Sequence, residues 1–256
     1  MEQPERPDAI FEEKLSFPEI LKRTWKVFIF YRKDILLSFL GYFIPLLVLL
    51  SLIFQSSLAP SPESIQKNFT QNWIFLMVHN LFQDFFFAGL IIYVIVYFEK
   101  KIMHPGIFFR VLFQRFFIFV LTFALLFSFM MAGILAFIVP GLVIAILFSF
   151  SLFLVFSENL SGLEAFQESY RTVKESWIRV TLYFIGVNAI SFVLSFGTIY
   201  LVAHWPWERP EIKFLLGELF SSFLNLFPSL VFAVLFYNLR NQVKPPTRSE
   251  KPISNV

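Results

Sequence analysis

The stretch FFIFVLTFALLFSFMMAGILAFIVPGLVIAILFSFSLFLVF, Phe116 to Phe156, contains no charged residue. At about 1.5 Å per residue a helix of that length would measure roughly 60 Å, twice a hydrocarbon core of about 30 Å. Val139-Pro140-Gly141 supplies a turn signal near its middle, with no polar loop around it. The stretch therefore reads as a membrane hairpin, with helix three at Phe116–Ile138 and helix four at Leu142–Phe156. Helix four, at about 15 residues, is shorter than the roughly 20 that a crossing needs. It is read as a full span all the same.

Working outward, the same composition recurs four more times, at Ile35–Phe54, Ile74–Phe98, Val180–Val202 and Leu219–Leu239. The chain of 256 residues is 57% hydrophobic, only 15% charged and contains 38 Phe. A soluble domain of this size has about a quarter charged residues. The expectation is an all-α polytopic membrane bundle of six helices. Cysteine is absent, which excludes disulfides, thiolate metal sites and Cys nucleophiles. MEQPERPDAIFEEK at the N-terminus is polar and acidic, unlike a cleavable signal peptide. Residues 1–15 and 240–256 are expected to be disordered tails around a single membrane domain, 16–239.

The net charge of +3 does not require nucleic acid. Apart from Lys67, Arg209 and Lys213, every Lys and Arg falls in the N-terminal segment, between helices two and three, between four and five, or in the tail. The positive-inside rule then puts both termini in the cytoplasm. Trp205 and Trp207 lie in the loop before helix six, where indoles would anchor the opposite interface.

Ser16–Gly41 aligns without a gap with Ser161–Gly186. Ser16/Ser161, Glu19/Glu164, Leu37/Leu182, Phe39/Phe184 and Gly41/Gly186 are identical. Both copies open Ser-x-x-Glu, a capping box. In the second copy Leu163, Phe166, Tyr170, Val173 and Trp177 step by three and four, forming an apolar stripe suited to an interfacial helix. His104–Phe117 is a weaker version. The chain thus reads as three parallel units, 16–98, 104–157 and 161–239, each a cytoplasmic amphipathic helix followed by a membrane hairpin.

Pro140-Gly141, Glu158, Gly162, Glu164-Ala165, Ser169 and Val173-Lys174 form a pattern over Val139–Trp177. It resembles the bacterial six-helix membrane proteins that include the YciC-like family and the membrane domain of glycerophosphoryl diester phosphodiesterases. The resemblance implies a multi-pass protein of the bacterial inner membrane. In the phosphodiesterase relatives catalysis belongs to a separate soluble barrel. The short tail after Leu239 is not such a barrel, so that activity is not carried over.

Signals for chemistry are sparse. His79, His104 and His204 are far apart, with no paired ligand spacing, no phosphate-cradling Gly-rich loop and no nucleophile elbow. No enzyme activity, metal or cofactor is expected. Ala132-x-x-x-Ala136 and Gly141-x-x-x-Ala145-x-x-x-Ser149 would let helices three and four approach closely. Pro45 and Pro228 should kink helices one and six.

Helix two carries the one acidic side chain deep in a span. Asp84 lies about 22 Å from Glu99 by helical rise, and Asn225 sits at the same count from Arg240. His79 and Asn80 are expected at the outer water boundary. Gln83, Asp84, Ser195 and Asn225 are the candidate intramembrane polar layer. Lys22, Arg23, Lys26, Arg32 and Lys33 are candidate contacts for anionic headgroups, and Glu158 is expected to end helix four at the cytoplasmic boundary.

Two functions follow. One is a non-enzymatic protein that organises envelope lipids or partner membrane proteins. The alternative is a small-solute or proton-linked transporter that uses the polar layer around Asp84. A polar cavity at the depth of Asp84 would favour the second, and an exposed interfacial platform the first. Neither reading specifies an oligomeric state.

Overall fold

The computed structural model describes residues 15–53, 65–99, 104–204 and 210–243. Its regular structure is all helical: α1 (Phe17–Ile53), α2 (Ile65–Gly89), α3 (Ile91–Phe98), α4 (Pro105–Ala136), α5 (Ile138–Leu147), α6 (Ser151–Ser157), α7 (Gly162–Lys174), α8 (Trp177–Ala203), α9 (Pro210–Leu224) and α10 (Leu226–Val243). Six segments are long and apolar enough to cross a membrane: Phe17–Leu50, Met77–Phe98, Pro105–Ala136, Ile138–Ser157, Trp177–Thr198 and Leu216–Val243.

Helices that are apolar on every face belong in the middle of a bundle. That is where α3, α6 and α10 lie, with Ile91–Ile95, Phe153–Phe156 and Val234–Phe236 buried. Phe98 stacks on Tyr237 with ring centroids 5.0 Å apart, and Phe153 on Phe236 at 5.7 Å. Tyr93 is buried among them and still satisfies its hydroxyl, 2.8 Å from Ser38 Oγ. By contrast α8 leaves Leu182, Phe192, Val193 and Phe196 exposed. A surface of that kind suits lipid rather than water.

Each of the even-numbered spans is interrupted. The second pauses at Leu90, between α2 and α3, beside Gly89. A Cβ on Gly89 would come 2.6 Å from Leu112 Cδ1 of α4. In the sixth, the break at Asn225 precedes Pro228, which has no N–H to continue the ladder. Pro45, by contrast, lies inside an unbroken α1.

The fourth span stops at Phe148–Phe150, and serines take over the backbone groups there. Ser149 Oγ donates to Ile146 O (2.9 Å) and Ser151 Oγ to Phe148 O (2.8 Å). Ser169, buried on α7, donates to Leu147 O at 2.9 Å and accepts from Phe150 N–H at 3.3 Å. The short fourth span of the sequence reading is therefore two half-helices joined through a side chain of α7.

Several expectations change. The turn between helices three and four falls at Phe137, whose backbone is extended. Pro140 and Gly141 sit in the first turn of α5, where a missing N–H costs nothing. The close approach there is Gly133 on Gly141: a Cβ on Gly133 would lie 2.8 Å from Gly141 Cα. Ala132 and Ala136 are exposed. No separate amphipathic helix precedes the first and third spans, because α1 and α4 run continuously from their basic segments into the membrane segments. Only α7 stands apart. Its buried face is Ala165, Phe166, Ser169, Thr172 and Val173, while Leu163, Tyr170 and Trp177 face outward. The expected stripe is thus split between two faces.

The capping boxes differ too. Glu19 accepts from Ser16 N–H and from its hydroxyl, both at 2.7 Å. Ser161 makes no side-chain cap. Instead Gly162 N–H donates to Thr122 Oγ1 of α4 at 3.0 Å. Helix two begins at Ile65, well before the expected Ile74. Leu15 and Arg240, placed in the tails by sequence, are buried. Residues 1–14 and 244–256, and Trp205 and Trp207, lie outside the described residues.

Candidate functional site

A cavity of about 380 Å³ opens between α2, the fourth span, α8 and the break in the sixth span. Counted at about 1.5 Å per residue from the charged ends of their helices, Asn188 lies roughly 14 Å in and Asp84 and Asn225 roughly 22 Å in. The cavity therefore reaches from the middle of a core of about 30 Å into the half away from Glu99, Arg179 and Arg240. Helical spacing explains which side chains reach it. Gln83 and Phe87, and Asp84 and Ala88, are i,i+4 pairs on one face of α2, and Phe184, Asn188 and Ser191 share one face of α8.

Of the expected layer, Gln83, Asp84 and Asn225 line this cavity. Ser195 does not. It lies beside Ser221, with hydroxyl oxygens 3.2 Å apart, at a contact between α8 and α9. Sequence counting missed Ser149, Asn188, Ser191 and Ser229, which also line it. Asp84 is exposed into this space, and its carboxylate has no hydrogen bond or ion pair among the described residues.

The hydrogen bonds give the lining a sign. Asn188 Nδ2 donates to Phe184 O at 2.7 Å, and Asn225 Nδ2 to Ser221 O at 2.9 Å. A carbonyl partner fixes both amides, because the opposite flip would set two oxygens together. Ser149 and Ser229 donate to the carbonyls of Ile146 and Asn225. The two serines have used their protons on backbone, each Asn amide keeps one further N–H, and all four groups keep oxygen lone pairs for the cavity.

Above the cavity, α2 and α9 are joined by two polar rungs. Gln83 Oε1 accepts from Ser222 Oγ at 3.4 Å, and His79 Nε2 lies 3.0 Å from Glu218 Oε2. His79 is buried, not at a wet boundary as its position along the helix suggested. Asn80, on the next position, is exposed. The available signal was depth. His79 lies about as far from Glu99 as Glu218 lies from Arg240.

At the other end of the bundle Glu158 does not simply end its helix. It takes two hydrogen bonds from Arg240, one of them Nη2–Oε2 at 2.7 Å, and the same guanidinium donates to Glu168 of α7. Arg240 is buried, at 7% exposure, so this fork ties α6, α7 and α10 together. Burial pushes the Glu168 carboxyl up, but the Arg240 and Arg171 guanidiniums outweigh it and hold it below its ordinary value. Lys22, Lys26, Arg32 and Lys33 are exposed along α1, and Arg23 is half-buried. Among the described residues no group of three or more His, Asp and Glu could hold a metal ion.

A helical bundle with six membrane-length segments and a carboxylate-bearing polar cavity among them is the class these features define. No protein-family model, curated protein or solved structure matches the chain.

Proposed function

We propose that this chain is a non-enzymatic, multi-pass transporter of the bacterial inner membrane that passes a small solute through the cavity around Asp84. The cavity itself carries the reading, because it puts polar groups and an exposed carboxylate within the apolar length of the spans. An intramembrane ionisable group that faces a cavity rather than lipid is costly to keep and marks solute or proton paths. Both termini are cytoplasmic in this proposal, supported by the one-sided distribution of Lys and Arg. The family resemblance over Val139–Trp177 supports the same membrane.

The natural absence of cysteine makes the test direct. Single variants Ser191→Cys and Ser229→Cys in sealed vesicles are treated with a membrane-impermeant thiol reagent from either face. Transport requires labelling from both faces, each partial at any moment. Labelling from neither face, with full labelling after solubilisation, rules transport out.

A second reading has its own observation. Leu163, Tyr170 and Trp177 are exposed near α7, and exposed lysines run along the start of α1. Such surfaces suit an interface rich in anionic lipid, as an organiser of lipids or partner membrane proteins would need.

A further inference from the structure

We infer that the occupant of the cavity is a small organic ammonium ion, a primary amine in its protonated form with an apolar body. This rests on the proposed function only in sharing its cavity. Three observations point to that chemistry.

The first is the excess of acceptors. Asn188 Oδ1, Asn225 Oδ1 and the oxygens of Ser149 and Ser229 remain as acceptors, while both serine protons and one amide proton of each Asn are engaged by backbone carbonyls. Asp84 adds a carboxylate that no described residue hydrogen-bonds, with His79 as its electrostatic neighbour. The donors left to the lining are the Gln83 amide, the Ser191 hydroxyl and one N–H each of Asn188 and Asn225, fewer than the oxygen lone pairs. An anion or a neutral acceptor would leave most of these lone pairs facing lone pairs. A primary ammonium brings three N–H donors and no acceptor.

The second is charge. No Lys or Arg lines the cavity, and His79, which acts on Asp84 from the same helix, lies outside the lining with its Nε2 3.0 Å from Glu218 Oε2. The third is the wall. Phe87, Phe153, Phe184 and Phe232 surround the polar groups. Ring faces attract a cation and take up an apolar body. A volume of about 380 Å³ is at the small end of ligand pockets, enough for a single-ring amine and too small for a phospholipid. These features select an organic ammonium over a bare inorganic cation, which has no apolar body to fill the space between the aromatic walls.

The test is calorimetry of the full chain in nanodiscs at pH 7, with empty nanodiscs as the blank. The probe is 2-phenylethylammonium, with 2-phenylethanol as neutral isostere and phenylacetate as anion. The expected result is saturable binding of the ammonium, at least tenfold tighter than the alcohol, and no binding of the anion. Asp84→Asn should weaken the ammonium by about tenfold to a hundredfold, the size of one charge-assisted hydrogen bond, and leave the alcohol unchanged. Equal affinity for ammonium and alcohol, or an Asp84→Asn variant that binds as the native chain does, overturns the inference. If Asp84→Asn loses its fold, Asn188→Leu decides in its place. It should lower the ratio of ammonium to alcohol affinity, and an unchanged ratio overturns the inference. A cavity labelled from both faces that binds no ammonium sinks this inference and leaves transport standing. Ammonium binding with labelling from neither face does the reverse.

Discussion

Arg240 holds two carboxylates from two different helices with one planar guanidinium, which suits Arg and not Lys because the fork offers paired donors in fixed directions. Removing it leaves Glu158 and Glu168 facing each other without a cation. Arg240→Met is expected to cost about 3 kcal/mol of stability, read as a lowered thermal midpoint in detergent. The triple variant Arg240→Met, Glu158→Gln, Glu168→Gln should recover part of that loss, because no unpaired charge remains. A triple variant less stable than the single one would show that the fork acts through packing.

The same residues set the response to acid. Since the folded Glu168 carboxyl sits below its ordinary value, its contribution is complete above the unfolded carboxylate range, near pH 4.3. It is lost as pH falls through the folded value. The native chain should therefore lose thermal stability below about pH 4.5, and Glu168→Gln should show a lower but flatter acid limb. Identical acid limbs would remove Glu168 from the account. The fork was legible in outline: Glu158 comes two residues after Phe156 and Arg240 directly after Leu239, the last apolar residues of their spans, so they share a depth. What the sequence does not contain is rotation about each helix axis. That is why Asn188, Ser191 and Ser149 were missed as neighbours of Asp84, and why Ser195 was included.

At the scale of elements, the breaks in the even-numbered spans decide the architecture. Apolar runs announce helices well, and all six spans are found where hydropathy places them. They do not announce interruptions, because the break at Phe148-Ser149-Phe150 is made tolerable by Ser149 and Ser151 together with Ser169 on another helix. Ser169→Ala should cost about 1–3 kcal/mol, the penalty for a buried backbone donor and acceptor left open. Tight helix contact gives a companion test. Gly141→Ala places a Cβ 2.8 Å from Ile134 N and should cost about 1–3 kcal/mol through overpacking. Gly197→Ala, on α8 with nothing within 4 Å, should be neutral or slightly stabilising. Equal effects of the two alanines on thermal unfolding would argue against the Gly133–Gly141 contact.

Over the whole molecule, polarity is distributed by depth. Charged groups ring the ends of the spans, a forked ion pair fastens the α7 end, and a cavity rich in oxygen lone pairs occupies the middle. The two functional tests probe different parts of this arrangement, since access to the cavity depends on the packing of whole spans and its selectivity on a few side chains. The Ser169 bridge bears on how the chain is made. The fourth span leaves the ribosome before α7 does, so it meets the bilayer with the Leu147 carbonyl and the Phe150 amide still open. Each open group in hydrocarbon is worth several kcal/mol. The hairpin of α4 to α6 is thus incomplete at the moment of its own synthesis, and its insertion is finished by residues translated afterwards.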